Sequence, residues 1–120
     1  MGGVNIMEFE KLEVWKRSSR LSVNIYKYLN QLRDFGFKDQ ITRAGLSVPS
    51  NIAEGMSRIS LKEKLHFLNI ASSSCSELRT QIYIGMEISY IESQVGKCWI
   101  SETKELHKML NGLRKKLQEN

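Results

Sequence analysis

The stretch Gln40-Ile41-Thr42-Arg43-Ala44-Gly45-Leu46-Ser47-Val48-Pro49-Ser50-Asn51-Ile52-Ala53-Glu54-Gly55 constrains this chain most, because it has a helical pattern and carries the only proline in 120 residues. Apolar or small residues recur at Ile41, Ala44, Gly45, Val48, Ile52 and Ala53, the three-and-four spacing of one helix face, and Gly55 stands where a left-handed C-terminal cap belongs. Pro49 lacks the N–H that would reach the Gly45 carbonyl and crowds that turn, a loss of about 3 kcal/mol that packing has to offset. The expectation is a helix from about Lys38 to Glu54, kinked at Pro49, with Arg43, Asn51 and Glu54 sharing one of its sides.

The rest of the chain reads as three more helices. The first is expected from about Glu10 to Leu32, with carboxylates near its positive end. It carries two apolar stripes, one through Leu12, Trp15, Ser19, Ser22, Tyr26 and Leu29 and one through Val14, Leu21, Ile25, Tyr28 and Leu32. Two stripes imply two partners, the bundle core and a neighbouring subunit. Arg33-Asp34-Phe35-Gly36-Phe37 reads as a loop that tucks both phenylalanines onto a bundle end. Ser60-Leu61-Lys62-Glu63 is a capping box opening a long third helix. Within that helix Ala71-Ser72-Ser73-Ser74-Cys75-Ser76 has only small side chains, which predicts close helix approach, although a polar loop is the competing reading. After a turn at Ser89-Tyr90-Ile91-Glu92, a fourth helix alternates through Val95, Trp99, Thr103, Leu106, Leu110, Leu113 and Leu117, with Gly96 and Gly112 marking expected close contacts. The fold class is all-α, an antiparallel up-down four-helix bundle with a proline-kinked second helix. Residues 1–8 read as an N-terminal extension, disordered or tag-like, and 9–120 as the domain.

The run Ser47-Val48-Pro49-Ser50-Asn51-Ile52-Ala53-Glu54-Gly55, with Gln40 and Arg43 before it, resembles the signature of the 23S rRNA intervening-sequence protein family, also called the four-helix-bundle protein family. Leu12-Glu13-Val14-Trp15-Lys16 is similar to that family's opening, Glu77-Leu78-Arg79-Thr80-Gln81 to its third-helix motif, and Met109-Leu110-Asn111-Gly112-Leu113 to its last. The resemblance implies a bacterial all-α homo-oligomer, typically a pentamer, with no enzymatic activity and no cofactor. It also implies a distant likeness to the nucleic-acid-binding accessory subunit of diversity-generating retroelements.

Composition narrows the function classes. Eighteen Lys/Arg against thirteen Asp/Glu leave a formal charge of +5, compatible with an acidic partner, and five copies would carry about +25. The N-terminus lacks a basic start followed by an apolar core, and no segment approaches roughly 20 apolar residues, so neither a signal peptide nor a membrane partner is expected and the cytoplasm follows. Cys75 and Cys98 fit neither a disulfide scaffold nor a zinc pattern, and are expected to be reduced, small, buried hydrophobes.

Glu63-x-x-His66 has the spacing of a di-metal bundle ligand pair, but its second copy is missing because Lys104 stands three residues before His107; no metal site is expected. No nucleophile triad or phosphate loop is found, so no catalytic residues are assigned. Arg43, Asn51, Glu54, Glu77 and Gln81 are expected to form a structural polar network between the second and third helices, with direct ligand binding as the alternative. The candidate nucleic-acid-binding residues are Lys16, Arg17, Arg20 and Lys27 on the first helix and Arg58, Lys62 and Lys64 around the start of the third. With no interleaving of aromatic and basic residues, they are expected to contact the phosphate backbone of RNA or another nucleic acid rather than to read bases. The other reading is a scaffold whose apolar faces recruit a protein partner, such as a reverse transcriptase.

Overall fold

The computed structural model describes residues 8–119, so the extension expected over 1–8 lies outside the described residues except for Glu8. A 3-10 turn at Phe9–Lys11 precedes four helices, α1 (Glu13–Tyr28), α2 (Phe35–Met56), α3 (Leu61–Glu87) and α4 (Ser93–Gln118). Each helix touches the next in sequence, and α4 closes back on α1. The pairings run in opposite directions. Gly45 faces Ser22 and Ile25, Ser47 meets Ser74 while Gly55 abuts Phe67, and Arg79 meets Thr103 while Arg114 meets Ser72. The result is an antiparallel rod of 53 × 21 × 20 Å.

α2 continues through Pro49, and the reason is visible in what it buries. Ile41, Val48 and Ile52 are fully enclosed, and at about 1.5–3 kcal/mol each they exceed the roughly 3 kcal/mol lost at the proline. The helix starts three residues earlier than its apolar pattern suggests because Asp34 caps it, its carboxylate accepting from the Phe37 N–H at 3.1 Å. Tyr90 donates a second bond to the same carboxylate at 2.8 Å, and the two bonds, the Phe37 one foremost, hold it below the usual aspartate range. Phe35 thereby becomes a first-turn residue and is 68% exposed instead of tucked in, whereas Phe37 packs edge-on against Tyr90.

Other boundaries are also corrected. Leu12 adopts an extended conformation that separates the 3-10 turn from α1, and α1 ends at Tyr28 rather than Leu32, its Leu29 cap leading into turns toward Asp34. Gly55 is not a left-handed cap, since no described glycine has positive φ. It lies inside α2, where a Cβ would stand 3.1 Å from both the Lys64 carbonyl and Phe67 Cβ, so its smallness lets α2 and α3 approach. The serine run belongs to the same contact. Ala71, Ser72, Ser74 and Cys75 are buried, and the Ser47 and Ser74 hydroxyls bond at 2.8 Å.

The Ser60 hydroxyl accepts from the Glu63 N–H at 3.1 Å, starting α3 as its capping pattern predicts. α3 ends on Ser89 at φ 65°, with Ser89 N–H bonded to Met86 O and Tyr90 N–H to Gly85 O, the paired bonds of a left-handed helix stop. Met86 covers Gly96 so closely that a side chain there would displace it, but Gly112 faces open space and marks no contact. Cys75 is buried, which pushes its thiol up to about 12, while Cys98 is exposed on α4, contrary to the expectation of a buried residue. Both thiols are free.

Candidate nucleic-acid interface

Charge is distributed unevenly over the four helices. α1 and α4 together hold ten Lys/Arg against three Glu, whereas α2 and α3 hold five Lys/Arg against five Asp/Glu. The chain's excess of +5 is therefore more than accounted for by α1 and α4.

Helical spacing concentrates it further. Lys97, Lys104, Lys108 and Lys115 are separated by 7, 4 and 7 residues, which keeps them within about 20° of one line along α4. All four are exposed, and the row is about 27 Å long at 1.5 Å per residue. On α1, Lys16, Arg20 and Lys27 make a similar exposed row through offsets of 4 and 7. Only Lys16 and Lys108 have ion-pair partners, Glu13 at 3.7 Å and Glu105 at 3.6 Å, both exposed pairs along one helix that contribute little.

α1 and α4 are held side by side by Arg17. Its Nε and Nη2 donate to the two Glu102 carboxylate oxygens at 2.9 and 2.6 Å, and Nη1 reaches the Met109 sulfur. Both side chains of the pair are less than a third exposed. Arg17 is thus a tie between helices and not part of the free basic row, a correction to its sequence assignment. Higher along the same seam Tyr28 packs edge-on against Trp99 and accepts from the Glu92 N–H.

The second predicted cluster is mostly occupied. Arg58 donates to Glu54 at 2.6 Å and lies over the Phe67 ring, and Lys64 donates to the Met56 carbonyl at 3.2 Å, satisfying the end of α2. Lys62 alone of that cluster is exposed without a bonded partner among the described residues.

The expected polar network does not form. Arg43 pairs with Asp39, Asn51 donates to the Ser47 carbonyl and hydroxyl, and Glu54 holds Arg58, each with a partner four residues away on the same chain segment. Glu77 is exposed, and the Gln81 Oε1 is buried without a partner. Local contacts win because four-residue spacing along one helix needs no alignment of two helices. Among the described residues no three His, Cys, Asp or Glu side chains gather to hold a metal, and no helix is long and apolar enough to cross a membrane.

A four-helix bundle with one basic flank and no described metal cluster is the class of protein that fold and surface define. Residues 10–112 match the 23S rRNA-intervening sequence protein family, and the chain belongs to that family. A solved structure of a protein of unknown function from the S23 ribosomal protein family of Bacteroides thetaiotaomicron is similar, at 27% identity and TM-score 0.79 over 85% of this chain and 98% of that one. No curated protein matches the chain. Neither comparison names a catalytic activity.

Proposed function

We propose that this chain is a non-enzymatic, oligomeric cytoplasmic bundle that binds RNA or another nucleic acid along its α1–α4 flank. The observation that carries this reading is the segregation of charge, with seven exposed cations, Lys16, Arg20, Lys27, Lys97, Lys104, Lys108 and Lys115, in two neighbouring rows. A 27 Å row matches the rise of about eight nucleotides on one duplex strand, so one subunit engages a short segment and neutralises several phosphates. The family's description, which names a 23S rRNA intervening sequence, directs the choice of polymer toward RNA. Lysines present point charges without planar recognition of bases, so the contact follows the backbone.

Subunit association is supported by exposed apolar side chains on α1 and α2, Val23, Tyr26, Leu46 and Phe35, of which Tyr26 and Phe35 line an open depression of about 720 Å³. A ring of such subunits, five by the family resemblance, repeats the basic flank and raises its field. The second reading, a scaffold for a protein partner, is favoured by Tyr83, Ile84 and Ile88, which stand half-exposed at the end of α3. Gel shifts with structured RNA over a salt series separate the two. Backbone binding by these rows gives a log–log salt slope of about −4 to −6. Absence of affinity even at low salt ends the nucleic-acid reading and leaves the scaffold.

A further inference from the structure

The seam between α3 and α4 holds a second cationic feature that differs in kind from the lysine rows. Arg79 and Arg114 are both partly buried, and neither has a carboxylate within ion-pair distance among the described residues. Neutral groups position them instead. Arg79 Nε donates to Thr103 Oγ1 at 2.9 Å, and Thr103, fully buried, is fixed by its own bond to the Ile100 carbonyl at 2.7 Å. Arg114 Nη1 donates to Asn69 Oδ1 at 2.7 Å and Ser72 Oγ at 2.9 Å, and its Nη2 donates to Asn111. Among the described residues Arg79 Nη1 and Arg114 Nε have no protein acceptor, so each guanidinium keeps a donor to offer.

His107 bridges the interval. Arg79 Nη2 stands 3.4 Å from His107 Nδ1, and since a guanidinium only donates, Nδ1 there is the unprotonated acceptor. Burial, then Arg79 from α3 and Arg114 from α4, hold this imidazole below its ordinary value of 6.5. On its own helix Lys104 and Lys108 are cations, while Glu105, two residues away, projects from the opposite side and pairs with Lys108 at 3.6 Å. Two anchored forks and a neutral imidazole along one seam, with no carboxylate paired to either arginine among the described residues, leave a local charge that a phosphate would balance, and planar forks suit phosphate oxygens in pairs.

We infer that Arg79, His107 and Arg114 form a phosphate-binding site on the α3–α4 seam, in which the anion accepts from both guanidiniums and His107 Nδ1, on taking a proton from solvent, gives up the Arg79 Nη2 bond and donates to the anion instead. This assignment does not depend on polymer binding by the lysine rows. It predicts that phosphate and proton bind cooperatively, because each lowers the cost of the other.

The chain's two histidines make the test internal. Imidazole signals of the full chain are followed by NMR against pH, with inorganic phosphate and with sodium chloride at equal ionic strength. Phosphate is expected to raise the His107 pKa by about one pH unit while His66, on the exposed face of α3, moves no more than in chloride. Arg114→Gln is expected to raise the His107 pKa without phosphate and to weaken phosphate binding at least about tenfold. If His107 and His66 respond equally, or chloride reproduces the effect, the arginines only join α3 to α4 and the site falls. Should Arg114→Gln lose its helical signal, the unmodified chain in phosphate against chloride decides alone. Replacing the four α4 lysines by glutamine separates the two ideas. Lost RNA binding with an intact phosphate response leaves this site standing by itself, and a missing phosphate response with intact RNA binding removes the site while sparing the lysine rows.

Discussion

The α2–α3 and α1–α4 seams solve the same packing problem with opposite materials. α2 and α3 meet through Gly55, Ala71 and the Ser47–Ser74 hydroxyl pair, so backbones come close and almost nothing charged is needed. α1 and α4 are spaced by long side chains, the Arg17–Glu102 fork and the Tyr28–Trp99 contact. Small residues make a tight seam that tolerates no added volume. Long amphipathic residues make a looser one whose outer surface is free to accumulate lysine. The difference teaches that the apolar periodicity shared by all four helices sets the fold, while the choice between small and long residues at a seam decides which flank is available for a partner.

The largest effect should come from moving charge. Changing Lys97, Lys104, Lys108 and Lys115 to glutamate is expected to weaken RNA binding at low salt about a hundredfold or more, measured by filter binding. Changing Lys62 and Arg43 on the α2–α3 flank should alter it less than about threefold. Equal losses from both flanks would erase the contrast. Next, Gly55→Ala is expected to cost about 1–3 kcal/mol in urea unfolding, because the new methyl meets a backbone carbonyl that cannot step aside.

Arg17→Ala should cost about 1–2 kcal/mol by leaving Glu102 unpaired at a partly buried position, whereas Arg17→Met with Glu102→Met should restore most of that loss. A double variant as weak as the single one would mean the seam depends on the ion pair itself. The smallest effects lie outside the seams or are pH-dependent. Ser89→Gly should stabilise by about 0.5–1 kcal/mol, since φ 65° suits glycine better than serine.

His107 gives a pH test with a definite sign. Its folded pKa lies below the 6.5 of the unfolded chain, so at and below that pH the unfolded chain binds more protons. Stability therefore falls as pH drops from above 6.5, and His107→Gln should flatten that fall in urea midpoints between about pH 7.5 and 5.5. An unchanged slope would show that neither burial nor the two arginines shifts this imidazole.

Much of the fold is written in the order of apolar residues. Ile41, Val48 and Ile52 carry α2 across Pro49, and Ser60 marks the start of α3, because spacing and capping are local properties. Asp34 carries a competing local signal: Gly36 and two phenylalanines suggest a loop, yet the aspartate two residues before Gly36 caps a helix and leaves Phe35 exposed. The basic surface was half legible. Lys16, Arg20 and Lys27 follow from a stretch without acids, but the α4 lysines are interspersed with Glu102 and Glu105, and their 7, 4, 7 spacing emerges only when the helix is rotated to its outer side. Arg17, Arg58 and Lys64 lie in basic stretches of sequence yet are spent on Glu102, Glu54 and Met56, a distinction that depends on which helices become neighbours.

The unequal pair of cysteines supplies a reporter without mutagenesis. Cys98 is exposed at the α1–α4 seam beside Lys97, while Cys75 is enclosed and its thiol is held protonated far above neutral pH. A maleimide fluorophore should attach to one position only, a step away from the lysine row. Its emission would then follow RNA arriving on that flank, and Cys75 would take up dye only once the helices have come apart.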